Sequence, residues 1–380
     1  MDLPLAGVKI IELAGLAPAP YAGMIMADWG ANVVRIDRAS LQASQDLLAR
    51  GKRSVALDLK SPRAVAALRR MIKTADVFIE PFRPGVVDAL GLGPDLLLKD
   101  NPRLIYARLT GFGQTGAYKD MAGHDINYIA VSGALSAMGR KGERPMFPMN
   151  ILGDFAGGGM LCAMGILLAI IERQKSGKGQ VIDAAMVDGA AYLAFAYFKA
   201  KGAGGWLRPR GENLLDSGAP FYEVYETRDG KYMSVGSIEP RFFALLLKGL
   251  ELDPSWAPKQ MDLKHWPELK LLIASRFIAK SSAEWQKIFD FTDACVAPVL
   301  DYEEIADHVH NKARKTFIDS LGPGGGVEVP PVPRLSRTPG KVRSPIPHVG
   351  DHTKDVLMEY GFSEADIKVL LDSKAAVAKL

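Results

Sequence analysis

The chain has 380 residues, of which 48% are apolar and 24% are charged, and this composition is typical of a globular protein. The length allows a well-buried core and favours two domains over one. Because the net charge is only +4 and charges interrupt every apolar run, we expect neither a nucleic-acid partner nor a membrane span, but a local basic patch for an anionic ligand.

The two cysteines, Cys162 and Cys295, lie far apart in the sequence. They exclude a disulfide framework and form no metal or redox motif, so we expect no metal site and a reducing compartment. The first residues lack the basic and long apolar segments of a secretory signal. The chain ends in Ala378, Lys379 and Leu380, a conservative variant of the Ser-Lys-Leu peroxisomal address, although three residues can also match by chance.

The first half of the chain predicts strands that alternate with helices. Apolar strand patterns occur at 8–13, 32–37, 53–59, 76–80 and 103–109, and helical patterns occur at 18–29 and 61–74. Strands interleaved with helices indicate a parallel, doubly wound sheet.

The second half adds a different set of elements. We expect a long apolar helix at 156–173, a strand at 181–186, a helix at 187–200, a hairpin at 222–237 that turns at Asp229-Gly230, and helices at 239–249, 266–278 and 282–291. These elements predict a large domain over 1–200, completed by 330–380, and a small domain over 221–320. A Gly-rich linker at 201–220 and a Pro/Gly-rich connector at 321–347 join them.

The run GFGQTG at 111–116 follows a strand and matches the glycine pattern of a dinucleotide-binding turn. A dinucleotide site also needs a helix directly after the glycines to hold the pyrophosphate. The following residues are a poor helix, so we expect a tight turn instead.

The run GHDINY at 123–128 places a histidine and an aspartate before an apolar helical pattern. Asp125 or Asn127 would cap that helix, and His124 would then lie beside backbone N–H groups that can stabilise an oxyanion. The alternative is a capping turn with an incidental histidine.

Two further carboxylates precede predicted helices. Asp154 comes just before Gly157–Gly159, which would let a bulky ligand approach the backbone, and Leu152 and Phe155 beside it predict a raised pKa that suits a general base. Glu239 lies between a strand and a helix. For both carboxylates the alternative is a stabilising charge at a helix N-terminus.

Together these segments resemble the α-methylacyl-CoA racemases, within the wider class III CoA-transferases. The order GHDINY, then Asn150 with Asp154 and the glycine triplet, then GSIEP at 236–240 carries the resemblance. Longer similar segments lie at 12–20, 32–38, 103–116, 176–189, 211–222 and 292–300, so the resemblance covers nearly the whole chain.

The resemblance implies an α/β fold with a Rossmann-like large domain, built on a parallel sheet, and a smaller α+β domain. It also implies an interlocked homodimer, in which each active site joins the large domain of one subunit to the small domain of the other. The implied activity interconverts (R)- and (S)-2-methylacyl-CoA by proton transfer between two bases through an enolate. No separate cofactor is needed, since CoA is part of the substrate.

The resemblance also assigns roles to single residues. His124 and Asp154 would be the acid and base, Asn150 would support Asp154, and the partner's copy of Glu239 would hold the imidazole. The backbone N–H of Asp125 would bind the thioester oxygen. Residues expected to bind the CoA part are Arg38, Leu57, Asp58, Leu59, Lys60, Arg83, Gly123, Ile126, Asn127 and Tyr128. Relatives often have a basic residue where this chain has Ala89, which puts one phosphate contact in doubt.

Two other functions stay open on the sequence. A CoA-transferase would use Asp154 as a nucleophile, and an inactive acyl-CoA-binding protein would need no acid–base pair. Because the racemase chemistry feeds β-oxidation of branched chains, we expect the peroxisomal matrix, with an import receptor that binds Ala378–Leu380. Mitochondria and cytoplasm are the alternatives.

Overall fold

The computed structural model describes residues 3–40, 46–322 and 325–378, so Lys379 and Leu380 lie outside the described residues. The chain folds into two compact units. The first unit comprises 1–132, 148–193 and 313–380, and the second comprises 133–147 and 194–312. These boundaries differ from the sequence-based domains, because 133–147 belongs to the second unit and the chain returns to the first unit at Ala313.

The strands are β1 (Lys9–Leu13), β2 (Asn32–Arg38), β3 (Arg53–Leu57), β4 (Val77–Glu80), β5 (Ile105–Thr110), β6 (Gln180–Ala185), β7 (Tyr222–Glu226), β8 (Tyr232–Gly236), β9 (Val296–Val299), β10 (Ile318–Asp319), β11 (Val327–Glu328) and β12 (Ala376–Val377). The α-helices are α1 (Pro18–Asp28), α2 (Pro62–Ile72), α3 (Val86–Ala89), α4 (Pro94–Asp100), α5 (Asp125–Val131), α6 (Leu161–Ser176), α7 (Met186–Leu193), α8 (Phe195–Gly202), α9 (Pro240–Gly249), α10 (Trp266–Phe277), α11 (Ser282–Phe289), α12 (Val309–Arg314), α13 (Thr353–Glu359) and α14 (Glu364–Asp372). A π-helix covers Ile151–Met160, and 3₁₀ turns cover Ala134–Ala137 and Pro254–Lys259.

The first unit is built on a seven-stranded sheet of order β12-β3-β2-β1-β4-β5-β6. All neighbouring pairs are parallel except β12, which runs antiparallel to β3. The order of the six parallel strands is that of a doubly wound Rossmann fold, so the α/β prediction is confirmed. In such sheets the strand order reverses between β1 and β4, and ligands bind outside the carboxyl ends of the strands at that point.

The sequence of the inner strands explains why both faces of this sheet are covered. Every residue of β4 and β5 is buried, which is the pattern of a strand between two helical layers. Successive residues of β1 point to opposite faces, so Ile11 packs in the core on the side of α2, α13 and α14, whereas Ile10 packs on the side of α1 and α6.

The outer strand β12 is tied to β3 through a side chain of α13. The hydroxyl of Thr353 donates to the carbonyl of Val377 (2.7 Å) and accepts the N–H of Ala56 (3.1 Å). Thr353 is fully buried, so both bonds are shielded from water. One hydroxyl therefore holds the strand that follows α14 to a strand near the start of the chain.

A fully buried ion pair lies between β1 and α1. The ammonium of Lys52 donates to both carboxylate oxygens of Glu12 (2.9 and 2.8 Å) and to the carbonyl of Pro20 (2.8 Å). Both side chains have no solvent exposure. Burial raises the pKa of Glu12 and lowers that of Lys52, while the mutual attraction of the two charges opposes both shifts. The pair fixes the first turn of α1 to the sheet.

The long apolar helix begins earlier than its sequence predicts, because the π-helix at Ile151–Met160 runs directly into α6. Together they form a 26-residue helix that, by length and composition only, is apolar enough to cross a membrane, and it is the one such helix among the described residues. Gly157–Gly159 and Cys162 are nevertheless buried inside the unit, as in the core helix of a globular protein.

The contact between this helix and α7 gives a stability prediction. A Cβ atom at Gly189 of α7 would overlap the carbonyl of Gly157, so Gly189→Ala forces two backbones apart. We expect Gly189→Ala to lower the free energy of unfolding by about 1–3 kcal/mol, measured as the shift in urea midpoint. Gly202→Ala, where a Cβ meets no atom within 4 Å, is the matched control and should leave the midpoint nearly unchanged. Equal midpoints for the two variants would contradict the packing argument.

The second unit contains the predicted hairpin, in which β7 and β8 pair antiparallel. The strand β9 adds a third strand that the sequence analysis did not predict, because Pro298 within its four residues argues against a strand. Helices α9, α10 and α11 supply much of the core of this unit around Phe243, Phe277 and Trp285. Glu239 is the residue that precedes α9, in extended conformation.

Candidate active site

His124 lies at the entrance of α5, as the sequence predicts. It occupies the N-cap position in extended conformation, and its side chain is exposed. The side chain of Asn127 accepts the backbone N–H of His124 (3.0 Å), so Asn127 and not Asp125 closes this turn. No described residue accepts the backbone N–H of Asp125.

The glycine-rich turn after β5 supports this segment. The hydroxyl of Tyr128 donates to the carbonyl of Gly123, and its ring packs edge-on against Phe112 at 5.0 Å. A Cβ at Gly111 would overlap the same ring. Because the next helix begins only at Asp125, the run GFGQTG lacks the helix that a dinucleotide site needs.

Asp154 lies half-buried within the π-helix, where one of its carboxylate oxygens accepts the side-chain amide of Asn150 (3.1 Å). The N-cap position belongs to Asn150, so Asp154 is not a capping residue. The backbone N–H of Phe155 donates to the carbonyl of Asn150 (3.4 Å), five residues earlier, which is the wide turn of a π-helix. Such turns are frequent at functional sites.

The pKa of Asp154 is raised above its ordinary value, and burial is the largest cause. The negative charge of Asp125 raises it further, while the hydrogen bond from Asn150 and the positive charge of His124 act in the opposite direction. The shift agrees with the expectation from the apolar neighbours of Asp154. The positive charge of His124 is the smallest of these effects, and a shared role of the two predicted bases stays a prediction.

The contact made by the side chain of Asp125 is a feature that the sequence analysis missed, because it considered this residue only as a helix cap and as a backbone N–H donor. The carboxylate is buried, and one oxygen accepts the N–H groups of both Gly153 (2.5 Å) and Asp154 (2.7 Å). A Cβ at Gly153 would lie 2.7 Å from that oxygen. The glycine before Asp154 was therefore the one sequence signal of this contact.

The glycine triplet has a different role from the expected one. A Cβ would lie 2.8 Å from the N atom of Ala190 at Gly157, 2.9 Å from Met186 at Gly158, and 2.6 Å from the carbonyl of Pro18 at Gly159. These glycines are covered by α1 and α7, so they permit close helix packing and no bulky ligand reaches them. The expectation that they open the backbone to a ligand is wrong.

The residues expected near the CoA part lie along the carboxyl ends of the strands. Arg38, which is exposed, pairs with Leu57 across β2 and β3, while a carboxylate oxygen of Asp58 accepts the N–H of Lys60 (3.1 Å). The guanidinium of Arg83 donates to the carbonyl of Asp120 (3.2 Å).

Arg83 also lies close to the helix that follows His124. Burial raises the pKa of Tyr128 in α5, the charge of Asp154 raises it further, and the guanidinium of Arg83 opposes both. Ile126 on the same helix is partly exposed. The bond from Arg83 to Asp120 ties the segment after β4 to the segment before His124, and β4 and β5 are neighbouring strands.

An open groove of about 680 Å³ lies beside α2 and contains Leu59, Lys60 and Ala89. Three further cations line it, namely Arg69, Arg70 and Lys73, which the sequence analysis did not assign to a site. Arg69 pairs with Asp100 and Arg70 with Asp366, so Lys60 and Lys73 contribute to the positive charge of the groove beside two cations that are partly balanced.

Glu239 belongs to the second unit, and its pairing with a partner's His124 stays a prediction.

Comparisons with known proteins show the family to which the chain belongs. Residues 5–353 match the model of CoA-transferase family III. The chain is 54% identical to the α-methylacyl-CoA racemase of Mus musculus, over 96% of this chain and 95% of the relative, and 51% identical to that of Homo sapiens, over 98% and 97%. A crystal structure of a CAIB/BAIF family protein from Brucella suis is 25% identical, with a TM-score of 0.79 over 95% of this chain and 100% of that one. The chain therefore belongs to CoA-transferase family III.

Proposed function

We infer that this chain interconverts (R)- and (S)-2-methylacyl-CoA by moving the proton on the carbon next to the thioester. The observation that carries this inference is the hydrogen bond from the backbone N–H of Asp154 to the carboxylate of Asp125, the residue next to His124, together with the raised pKa of Asp154. The identity of more than half of the residues with the mouse and human racemases supports it.

Inversion of one carbon requires that a proton leave from one face and another arrive at the opposite face. One side chain cannot reach both faces, so His124 and Asp154 act as a pair, and each is base in one direction and acid in the other. The enolate that forms between the two steps places negative charge on the thioester oxygen. The backbone N–H of Asp125, next to His124, is our candidate donor to that oxygen, and such a donor contributes about 3 kcal/mol.

A homodimer would complete this site. Glu239 from the partner would accept the second imidazole N–H of His124 and so fix its tautomer and stabilise the imidazolium. An apolar stripe on the π-helix and α6 supports an interface between copies, because monomers rarely expose such a surface. Its exposed members are Met160, Met164, Leu167, Leu168 and Ile171.

The nucleotide and phosphates of the CoA part would bind along Arg38 and the basic groove beside Lys60. Arginine binds phosphate through two parallel hydrogen bonds, and a charged hydrogen bond contributes about 1.5–3 kcal/mol. The substrate supplies the thioester, so we propose that the reaction needs no separate cofactor.

Removing the charge of Arg38 should weaken substrate binding without slowing the chemical step. We expect Arg38→Ala to raise KM roughly tenfold or more at unchanged kcat, because the lost contact is the same in substrate and transition state. Steady-state kinetics with one 2-methylacyl-CoA epimer measures both constants. Lys354→Ala, on the exposed side of α13, is the control and should leave KM unchanged. An unchanged KM in Arg38→Ala would remove Arg38 from the proposed binding site.

The activity itself is tested by incubating a single epimer with the enzyme in heavy water. A racemase incorporates deuterium at the α-carbon and produces the second epimer. Absence of both would refute the proposed function, and transfer of CoA to an added carboxylate would indicate that Asp154 acts as a nucleophile instead.

We also propose import into peroxisomes through Ala378, Lys379 and Leu380. Ala378 directly follows β12, whereas the two residues after it lie outside the described part of the chain. A fluorescent fusion at the N-terminus, with and without these three residues, tests the address. The same distribution for both fusions would refute it.

A further inference from the structure

The carboxylate of Asp125 links the two segments of the chain that carry the proposed bases His124 and Asp154. Asp125 directly follows His124 in the chain, and its oxygen Oδ2 accepts the backbone N–H of Asp154 (2.7 Å) as well as that of Gly153 (2.5 Å). The residue is only 4% exposed. A single side chain thus connects the backbone at one base to the backbone at the other.

The second oxygen of this carboxylate, Oδ1, is also buried and has no hydrogen-bond partner among the described residues. Burying a carboxylate is costly unless hydrogen bonds compensate its charge, and here the two backbone N–H groups both bind the other oxygen. An uncharged amide could accept the same two N–H groups. Two bonds to the backbone therefore do not explain why a charged group occupies this position.

We propose that Asp125 is a positioning residue of the proposed reaction, whose carboxylate fixes the backbone of Asp154 relative to His124 and whose charge acts on the acid–base group of Asp154. The proposal rests on the proposed racemase function and extends it by a residue that does not touch the reacting carbon. Proton transfer needs the reacting atoms about 3–3.5 Å apart, so even a small displacement of Asp154 would slow the reaction strongly.

Other contacts agree with this role. A Cβ at Gly153 would lie 2.7 Å from Oδ2, so the chain reserves space for the carboxylate. The charge of Asp125 is one of two effects, with burial, that raise the pKa of Asp154. Among the described residues, Asp154 also interacts electrostatically with His124, the N-cap residue of α5, and with Tyr128 in α5, and Asn150 supplies a hydrogen bond.

Two variants separate the effect of the hydrogen bonds of Asp125 from the effect of its negative charge. Asp125→Ala removes both, whereas Asp125→Asn keeps an oxygen that can accept the two N–H groups and removes only the charge. We expect Asp125→Ala to lower kcat roughly 100-fold with KM nearly unchanged, because substrate contacts remain but the base is misplaced. The amide N–H groups of Gly153 and Asp154 should also exchange faster with solvent in this variant, and this second readout does not depend on activity.

Asp125→Asn should instead shift the pH profile. Loss of the negative charge lowers the pKa of Asp154, so Asp154 stays ionised to lower pH. In the direction in which Asp154 is the base, the acidic limb of kcat/KM therefore moves to lower pH. Asp355→Asn makes the same change at an exposed position of α13, a helix that packs against β3, and is the control, for which kcat, KM and pH profile should match the wild type.

The outcomes distinguish this proposal from the proposed function. If the wild type fails to racemise the substrate, the function itself is wrong. If the wild type is active and Asp125→Ala keeps its kcat and its exchange rates at residues 153 and 154, the positioning role is overturned. An unshifted pH profile in Asp125→Asn overturns the role of the charge.

Discussion

Replacing either His124 or Asp154 by alanine should abolish racemisation while CoA-thioester binding stays nearly unchanged. Each residue supplies one of the two proton-transfer groups, and the carbon cannot be inverted from one face alone. Loss of a general acid–base group typically slows a reaction 10²–10⁴-fold, and we expect the upper end of this range or a larger effect, since no described neighbour can substitute on the lost face.

In heavy water, His124→Ala and Asp154→Ala should also differ in which epimer exchanges its α-hydrogen. With one base left, an enzyme can still remove and return the proton on the face of that base, so each variant should exchange the α-hydrogen of only one epimer. His124→Ala should act on the epimer whose α-hydrogen faces Asp154, and Asp154→Ala on the other. NMR of each recovered epimer measures this exchange and assigns each base to its face.

Binding is the control for both variants. Asp154 is half-buried and interacts with Asn150, and His124 is exposed, so neither truncation disturbs the core. Isothermal titration with CoA should give similar affinities for both variants and the wild type. Full racemase activity in either variant would refute the two-base scheme.

Breaking the buried ion pair of Glu12 and Lys52 should have the largest effect on stability. Lys52→Met leaves the carboxylate of Glu12 buried without its cation, and also removes the bond to the carbonyl of Pro20. Removing one partner of a buried pair typically costs about 3–5 kcal/mol. The urea midpoint of unfolding measures the loss.

Two controls test whether the uncompensated charge is the cause. The double variant Glu12→Gln with Lys52→Met has no buried charge at this position, so it should recover part of the lost stability. Lys368→Met breaks an exposed ion pair with Asp372, four residues further along α14, and should change stability by about 0.5 kcal/mol or less. If Lys52→Met were no more destabilising than Lys368→Met, the structural importance of the buried pair would be refuted.

The regular parts of the fold could be predicted because their sequence periods are clear. The strands β1 to β6 and helices α1 and α2 appear within a few residues of their predicted positions, since apolar runs and alternation fix them. Very short elements could not be predicted. The two residues of β12 have no pattern of their own, and they form a strand only because Thr353 and β3 provide partners.

The candidate site was predictable to a similar degree. His124 at a helix entrance follows from local sequence, whereas the support of Asp154 by Asn150 was implied by the resemblance, and the structure contains both features. The π-helix could not be recognised, because an apolar, glycine-rich run is compatible with either helical period. The role of its glycines was misinterpreted because the sequence does not show that α1 and α7 pack against them.

The contact between Asp125 and Gly153 joins residues 28 positions apart on two helices, and the glycine that signals it does not reveal which side chain it faces. Local patterns report on neighbours within a turn or a strand pair. The arrangement of the bases therefore needed the structure, although their identity did not.

The place of β12 at the outer edge of the sheet has a consequence for how the protein is made. Its partner β3 leaves the ribosome more than 300 residues before β12 does, so the nascent sheet exposes the outer edge of β3 for most of the time of synthesis. Exposed strand edges pair readily with other chains. Residues 194–312 of the second unit lie between these two strands in the sequence, so most of that unit emerges while the first sheet is still incomplete. A chaperone that binds strand edges could therefore bind the edge of β3 during translation. This edge is covered once Val377 pairs with Ala56.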